Sequence, residues 1–410
     1  MKIARDYRLI ILIVGFLNLN SMGWSSSTGD PFVYWSFYVL LVLILTYCGW
    51  GISNDDEKQT HFRKYAWIAG ISYSLIEGLR WLRGADYYHY YMDLDTNFKA
   101  TVCTLDPEPI YEWWVNVFHS TGLHPSIAFI IYSALLIYGV LLIFKRYPKA
   151  AVWGLPVFFL MTNSQTENII RQTLASCFLI FAYVAYLDDK KKLMFAMLCV
   201  VPLIHSAGLY GVALFLFFTY VKIPLKHPWI LVALYLFAYY IWNPDWFQGF
   251  ADYLSKLNLG DDVKGQSYLD NSDRWFTSEG SIATVLGNGV AQFSMLYITV
   301  KFLVNLFIVY FGFYACRNDR KLQTVYYFAY IALIIQTMAG DIELFTRFAH
   351  WTDLMVPILV SIVITKVNMS KNKQYKILVY TVFAINFIFY GLIRSLGSLP
   401  YAGCGFIWDK

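Results

Sequence analysis

The sequence predicts an all-α, polytopic integral membrane protein, and three observations predict it. Of 410 residues, 58% are hydrophobic and 14% charged, against about 25% charged in soluble domains. The mean hydropathy of +0.48 implies more apolar surface than one soluble core of this length hides. Apolar runs of roughly 17–25 residues, the length that crosses a bilayer as helix, recur from end to end. Alternating ten-residue strands are absent, which argues against a β-barrel. Six Cys in so long a chain make no disulfide framework, and the net charge of +5 says little until its distribution is read.

In chain order, Met1 to Asn20 resembles a signal peptide, with Lys2, Arg5 and Arg8 ahead of an apolar run. No small-residue cleavage site follows, so a first transmembrane helix is expected at 9–24. Further spans are expected at 32–52, 65–82, 126–144, 150–162, 168–187, 193–205, 207–221, 228–242, 295–315, 322–340, 348–366 and 376–396, about 13 crossings in all. The stretch 193–221 is long for one crossing and short for two, and charge decides it. Lys and Arg collect on the cytoplasmic side. They cluster at Lys58/Arg63/Lys64, Lys145/Arg146/Lys149, Lys190/Lys191/Lys192, Lys222/Lys226, Arg317/Arg320/Lys321 and Lys366/Lys371/Lys373/Lys376. Placing these and the N-terminal cluster on one side requires 193–221 to go out and return. A short broken helix pair turning near His205-Ser206-Ala207-Gly208 follows, with the N-terminus cytoplasmic and the C-terminus outside. Such breaks are tolerated where they line a cavity.

This topology leaves one multi-pass domain over 1–410 with two long extracytoplasmic loops, about 83–124 and 243–294. The first carries Asp86, Asp93, Asp95, Asp106, Glu108 and Glu112. The second is rich in Asp, Trp and Tyr, with an amphipathic helix expected from Asp245 to Leu257. Cys103 and Cys404 both fall outside, where they can pair.

Ionisable residues in or at the ends of apolar spans are expensive, and so are functional candidates. Arg80, Arg171, His205 and Arg347 meet that description, and the topology delivers all four to the outer side. Several Arg and a His in one outward cavity suit a phosphate-bearing lipid, because Arg grips phosphate oxygens bidentately and keeps its charge. A blander reading pairs Arg171 with Glu167 and Arg347 with Glu343, each four residues earlier. His205 alone also fits a satisfied buried histidine. Among the acids, Asp86 and Glu108 flank Tyr- and Trp-rich stretches, as a sugar site would want, although aromatics also gather at any membrane interface. Asp93-Leu94-Asp95 has a metal-compatible spacing but reads better as solvated loop. The sequence holds no phosphate-cradling Gly-rich loop, zinc spacing, haem motif or nucleophile elbow; no metal or other cofactor, and no nucleic acid, is expected.

Arg80-Trp-Leu-Arg-Gly84-Ala-Asp86-Tyr87-Tyr-His-Tyr90 resembles the R-x-x-x-G-x-D-Y-x-x-Y segment of the EpsG-like family, and Glu108-Pro109-Ile110-Tyr111 its E-P-hydrophobic-aromatic motif. Asn168 to Ala175, His205-Ser206-Ala207, Arg347, Tyr390 and Pro400-Tyr401 continue the resemblance in order. The resemblance implies a GT-C-like membrane polymerase of O-antigen, capsule or exopolysaccharide, related in role to the Wzy polymerases and sited in the bacterial inner membrane. Its partners would be undecaprenyl-diphosphate-linked oligosaccharide donor and acceptor, membrane lipid and a separate chain-length-regulating co-polymerase. Undecaprenyl diphosphate is the implied product released. In that frame Arg171 and Arg347 would hold the diphosphate, and Arg80 would bind phosphate or orient Asp86. Asp86, Glu108 and His205 are the alternatives for the base. A flippase would also want cations in a cavity, but continuing through the membrane to the cytoplasm; a ligase would differ only in acceptor.

Overall fold

The computed structural model describes residues 30–55, 60–84, 86–97, 108–221, 223, 227–242, 295–339, 343–370, 372–386, 388 and 405–409. The expected span 9–24, the segment 243–294 with its amphipathic helix, Cys103, Cys404, Tyr390 and Pro400-Tyr401 lie outside these residues.

Almost every described element is a helix. α1 (Pro31–Ser53) starts on Pro31, with the Asp30 carboxylate accepting the Phe32 amide at 2.8 Å. This is an N-cap followed by a residue whose missing N–H costs nothing there. α2 (Phe62–Gly78) leads into the two-residue strand β1 (Arg80–Trp81). α3 (Tyr87–Leu94) and α4 (Pro109–Thr121) follow, then α5 (Pro125–Arg146), α6 (Ala151–Asn168) and α7 (Ile170–Leu187). Next come α8 (Lys191–Ile204), α9 (Gly208–Tyr220), α10 (Trp229–Tyr240), α11 (Met295–Cys316), α12 (Arg320–Ala339), α13 (Glu343–Ala349), α14 (Met355–Asn368) and α15 (Lys373–Asn386). Strand β2 (Gly405–Phe406) pairs antiparallel with β1, Arg80 opposite Phe406 and Trp81 opposite Gly405.

Among the described residues, five helices are long and apolar enough to cross a bilayer: Phe32–Ser53, Pro125–Arg146, Ile170–Leu187, Thr299–Cys316 and Arg320–Ala339. Gly208–Tyr220, Trp229–Tyr240 and Met355–Asn368 are shorter and apolar. α5 packs on α2 and α7, α6 on α1 and α14, and α12 on α13 and α14, around one continuous apolar core. The chain is an all-α membrane protein.

Several boundaries differ from the sequence reading, for identifiable reasons. The expected span 65–82 ends at Gly78, which puts Arg80 on a strand rather than in a last helical turn. Among its described residues, the segment expected as the first outer loop is largely helical: α3 and α4 each bury a stripe of aromatics, Tyr87 and Tyr91 on one, Tyr111 and Phe118 on the other. The expected span 348–366 is broken into α13, a turn and α14; in the turn the amide and hydroxyl of Thr352 both donate to the Ala349 carbonyl, three residues back, in place of the regular four-residue helical bond. The broken pair at 193–221 is present, with His205, Ser206 and Ala207 between its helices.

The two ends of the bundle differ in kind. At one, Arg146 makes two hydrogen bonds to Asp188 (2.6 and 2.7 Å), and Lys321 reaches Asp189 at 2.9 Å. Arg320 there donates to the carbonyls of Phe218, Thr219 and Val221, closing the last turn of α9. At the other lie the breaks at Ile169, 205–207 and 350–354. α7 separates them: its 18 residues rise about 27 Å.

Candidate functional site

A cavity of about 170 Å³ opens where the three breaks meet. It is lined by Asp86, Tyr90, Ile169, Arg171, Gln172, His205, Ala207, Arg347, Phe348 and Trp351. Most lining groups come from places where regular helix stops. Ile169 is the single non-helical residue between α6 and α7, and it lines the cavity together with Arg171 and Gln172 from the first turn of α7. His205 sits in extended backbone after α8, and Arg347 in the last turn of α13. Trp351 lies against His205, ring centroids 5.6 Å apart. Gly208 and Gly211 let it approach α9; a Cβ on either would come within 3.2 and 3.1 Å of its indole.

Glu108, at the entry to α4, organises the wall. Its Oε2 lies 2.8 Å from Nη1 of Arg171. Its Oε1 is 2.8 Å from Nδ1 of His205, and accepts the Ser206 amide at 3.0 Å. Burial pushes its carboxyl upward, but the His205 hydrogen bond, the Arg171 charge and the Ser206 amide outweigh burial and bring it from 4.5 down to about 2. An ionised carboxylate only accepts, so the shared proton sits on Nδ1 and the Nε2 edge of His205 is the basic one. Arg171 also lies over the Tyr111 ring at 5.3 Å, and its buried Nε makes no hydrogen bond among the described residues. Burial pushes the Tyr90 phenol up to about 12 against the pull of Arg171, leaving it a neutral donor.

Gln172, from the next position on α7, donates to the Arg347 carbonyl at 2.8 Å. Gln165 on α6 donates to Asp353 at 2.9 Å, and Asp353 in turn accepts from Nδ1 of His350 at 2.7 Å. The segment carrying Arg347 is thereby held to both sides of the Ile169 break.

Of the residues singled out in the sequence, Asp86, Arg171, His205 and Arg347 line the cavity, and Glu108 joins Arg171 to His205 from behind. Arg80 does not line it. It is buried under α2, donates to the Glu77 carbonyl at 2.8 Å and lies over the Phe129 ring. The Arg171–Glu167 pair of the blander reading does not form: Arg171 goes to Glu108, and Glu167 to Arg83 at 3.3 Å. The side chain of Glu343 lies outside the described residues. Asp93 and Asp95 are engaged locally, by Tyr111 and Asn97. The sequence reading missed Glu77, Arg83 and Gln172. A lone Glu inside the apolar run of α2 was the available signal for the first two.

A model of the EpsG family matches residues 64–402. The chain belongs to the EpsG family. That membership indicates a polysaccharide-polymerase-like role and covers every cavity-lining residue. A search of curated proteins found no match, and a search of solved structures found none.

Proposed function

We propose that this EpsG-family protein is a glycosyltransferase that polymerises undecaprenyl-diphosphate-linked oligosaccharide repeat units at the extracytoplasmic face of the inner membrane, without a metal. The observation that carries the reading is the convergence of Arg171, Arg347, His205 and Asp86 on one cavity, with Glu108 fixing two of them. The acceptor hydroxyl oxygen attacks the anomeric carbon of the donor, and the bond from that carbon to the diphosphate breaks. The electron pair leaves on undecaprenyl diphosphate, where Arg171 and Arg347 meet the growing negative charge. Charge stabilisation of this kind is usually the largest catalytic contribution.

The hydroxyl proton goes to Nε2 of His205. Glu108, held at about 2, is too weak a base for that transfer; it holds the ring in the right tautomer and steadies the imidazolium. Asp86 and Tyr90 supply the acceptor and donor a sugar hydroxyl needs. The partners are the lipid-linked donor and acceptor and the surrounding membrane lipid.

The test uses purified protein, lipid-linked repeat unit and no added nucleotide. The expected result is a glycan ladder that Arg171→Ala and Arg347→Ala each reduce by about 10²–10³. Substrate that crosses liposome membranes unreacted would make the protein a transporter instead. Transfer of finished glycan to another acceptor, with no ladder, would make it a ligase.

A further inference from the structure

We infer that Arg83, clamped between Glu167 and the Phe406 ring, is the positioning residue that sets Asp86 against the Arg171 cavity, with the segment 405–409 as its brace. The inference rests on the glycosyl-transfer reading only for its kinetic test.

Three contacts dock Arg83, Gly84 and Asp86 along the last turn of α6. Nη2 of Arg83 lies 3.3 Å from Oε1 of Glu167, with its side chain 2% exposed. Gly84 has φ +95° and passes so close that a Cβ would stand 2.6 Å from the Glu167 carbonyl oxygen. The Asp86 amide donates to Oδ1 of Asn168 at 3.0 Å. Glu167 and Asn168 precede Ile169 and Arg171, so this docking fixes the distance from the Asp86 carboxylate to the cationic wall.

The opposite face of Arg83 is covered by the chain's last described residues. Its guanidinium lies over the Phe406 ring at 5.0 Å and the Tyr34 ring at 5.2 Å. Phe406 is 1% exposed and packs against Phe37 and Trp408. The β1–β2 pairing and the Ile407 amide, donating to the Leu79 carbonyl at 3.0 Å, hold that ring in place. Desolvated cation–ring contacts of this type are directional as well as attractive. The brace lies beyond the residues shared with the family model, which end at 402.

Removing Arg83 itself would strand the buried Glu167 carboxylate and take away one of the two arginines beside Glu77, which risks unfolding, so Phe406 is the variant to use. Phe406→Ala is expected to lower kcat about tenfold, since small misplacements of a reacting group are costly, with KM for the lipid-linked donor nearly unchanged. Phe406→Tyr, which keeps the ring face, should restore it. In a double-mutant cycle, Asp86→Asn and Phe406→Ala should be strongly non-additive, because both act through one carboxylate. Effects that simply multiply would overturn the inference.

A second readout needs no activity. Asp86→Cys, probed with a thiol reagent, should label at a changed rate when Phe406→Ala is added. Unchanged labelling would sink the brace. If the unmutated protein makes no ladder while the Asp86→Cys variant shows the labelling shift, the glycosyl-transfer reading fails and the brace stands.

Discussion

Because its carboxyl is held at about 2, Glu108 contributes stability that depends on pH in a definite direction. The contribution is complete above 4.5 and is lost as the pH falls from there to about 2. At 1.36 kcal/mol for each pH unit it amounts to about 3 kcal/mol. Thermal unfolding in detergent should therefore show an acid limb between those values, and Glu108→Gln should flatten it. In the proposed mechanism Glu108→Gln should also cost up to about 10⁴ in turnover, the loss seen when a carboxylate that orients a catalytic imidazole becomes its amide; near-normal turnover would remove Glu108 from the mechanism. At this scale the sequence was legible for residues whose cost is visible locally. Arg171, His205 and Arg347 interrupt apolar runs and were found. Pairing was not legible: Glu167 lies one helical turn from Arg171, yet bonds to Arg83, 84 positions away in the chain. Only the packing of α6 against Arg83, Gly84 and Asp86 decides that.

The helix breaks were readable in part. The break at 205–207 followed from side-to-side bookkeeping of Lys and Arg, which is a long-range constraint written in composition. The break at Ile169 was placed a few residues early, between the expected spans 150–162 and 168–187, because Asn163 to Glu167 is polar enough to read as a connection yet continues α6 to Asn168. The helices of the first outer segment were missed because each is short, and their buried stripes of Tyr and Phe look like interfacial aromatics when read alone. Gly84 gives the prediction at this level. A methyl group there meets the Glu167 carbonyl and an L-residue disfavours φ +95°. Gly84→Ala should cost about 1–3 kcal/mol, seen as a lower melting temperature, and should abolish ladder formation before it abolishes folding. A variant with wild-type melting and activity would show that the close approach is dispensable.

Across the whole molecule, the basic end and the cavity end are separated by the length of α7, and that polarity makes orientation measurable. Single cysteines at Lys191 and Ser206 should label from opposite faces of intact cells or sealed vesicles, position 206 from outside. Labelling of position 206 only from the cytoplasm would remove His205 from an extracytoplasmic site. One further result follows from how short α8 is. Its 14 residues rise about 21 Å, while the hydrocarbon layer is about 30 Å thick. If α8 enters the hydrocarbon layer at its Lys-rich end, as the basic clusters predict, it stops short of the far boundary and leaves His205 and the cavity below the lipid surface. The polyprenyl-anchored substrate proposed above would then arrive by lateral diffusion, with an effective concentration that is a mole fraction in the bilayer. Adding buffer to proteoliposomes should leave the rate untouched, whereas adding inert phospholipid to the same bilayers should slow it.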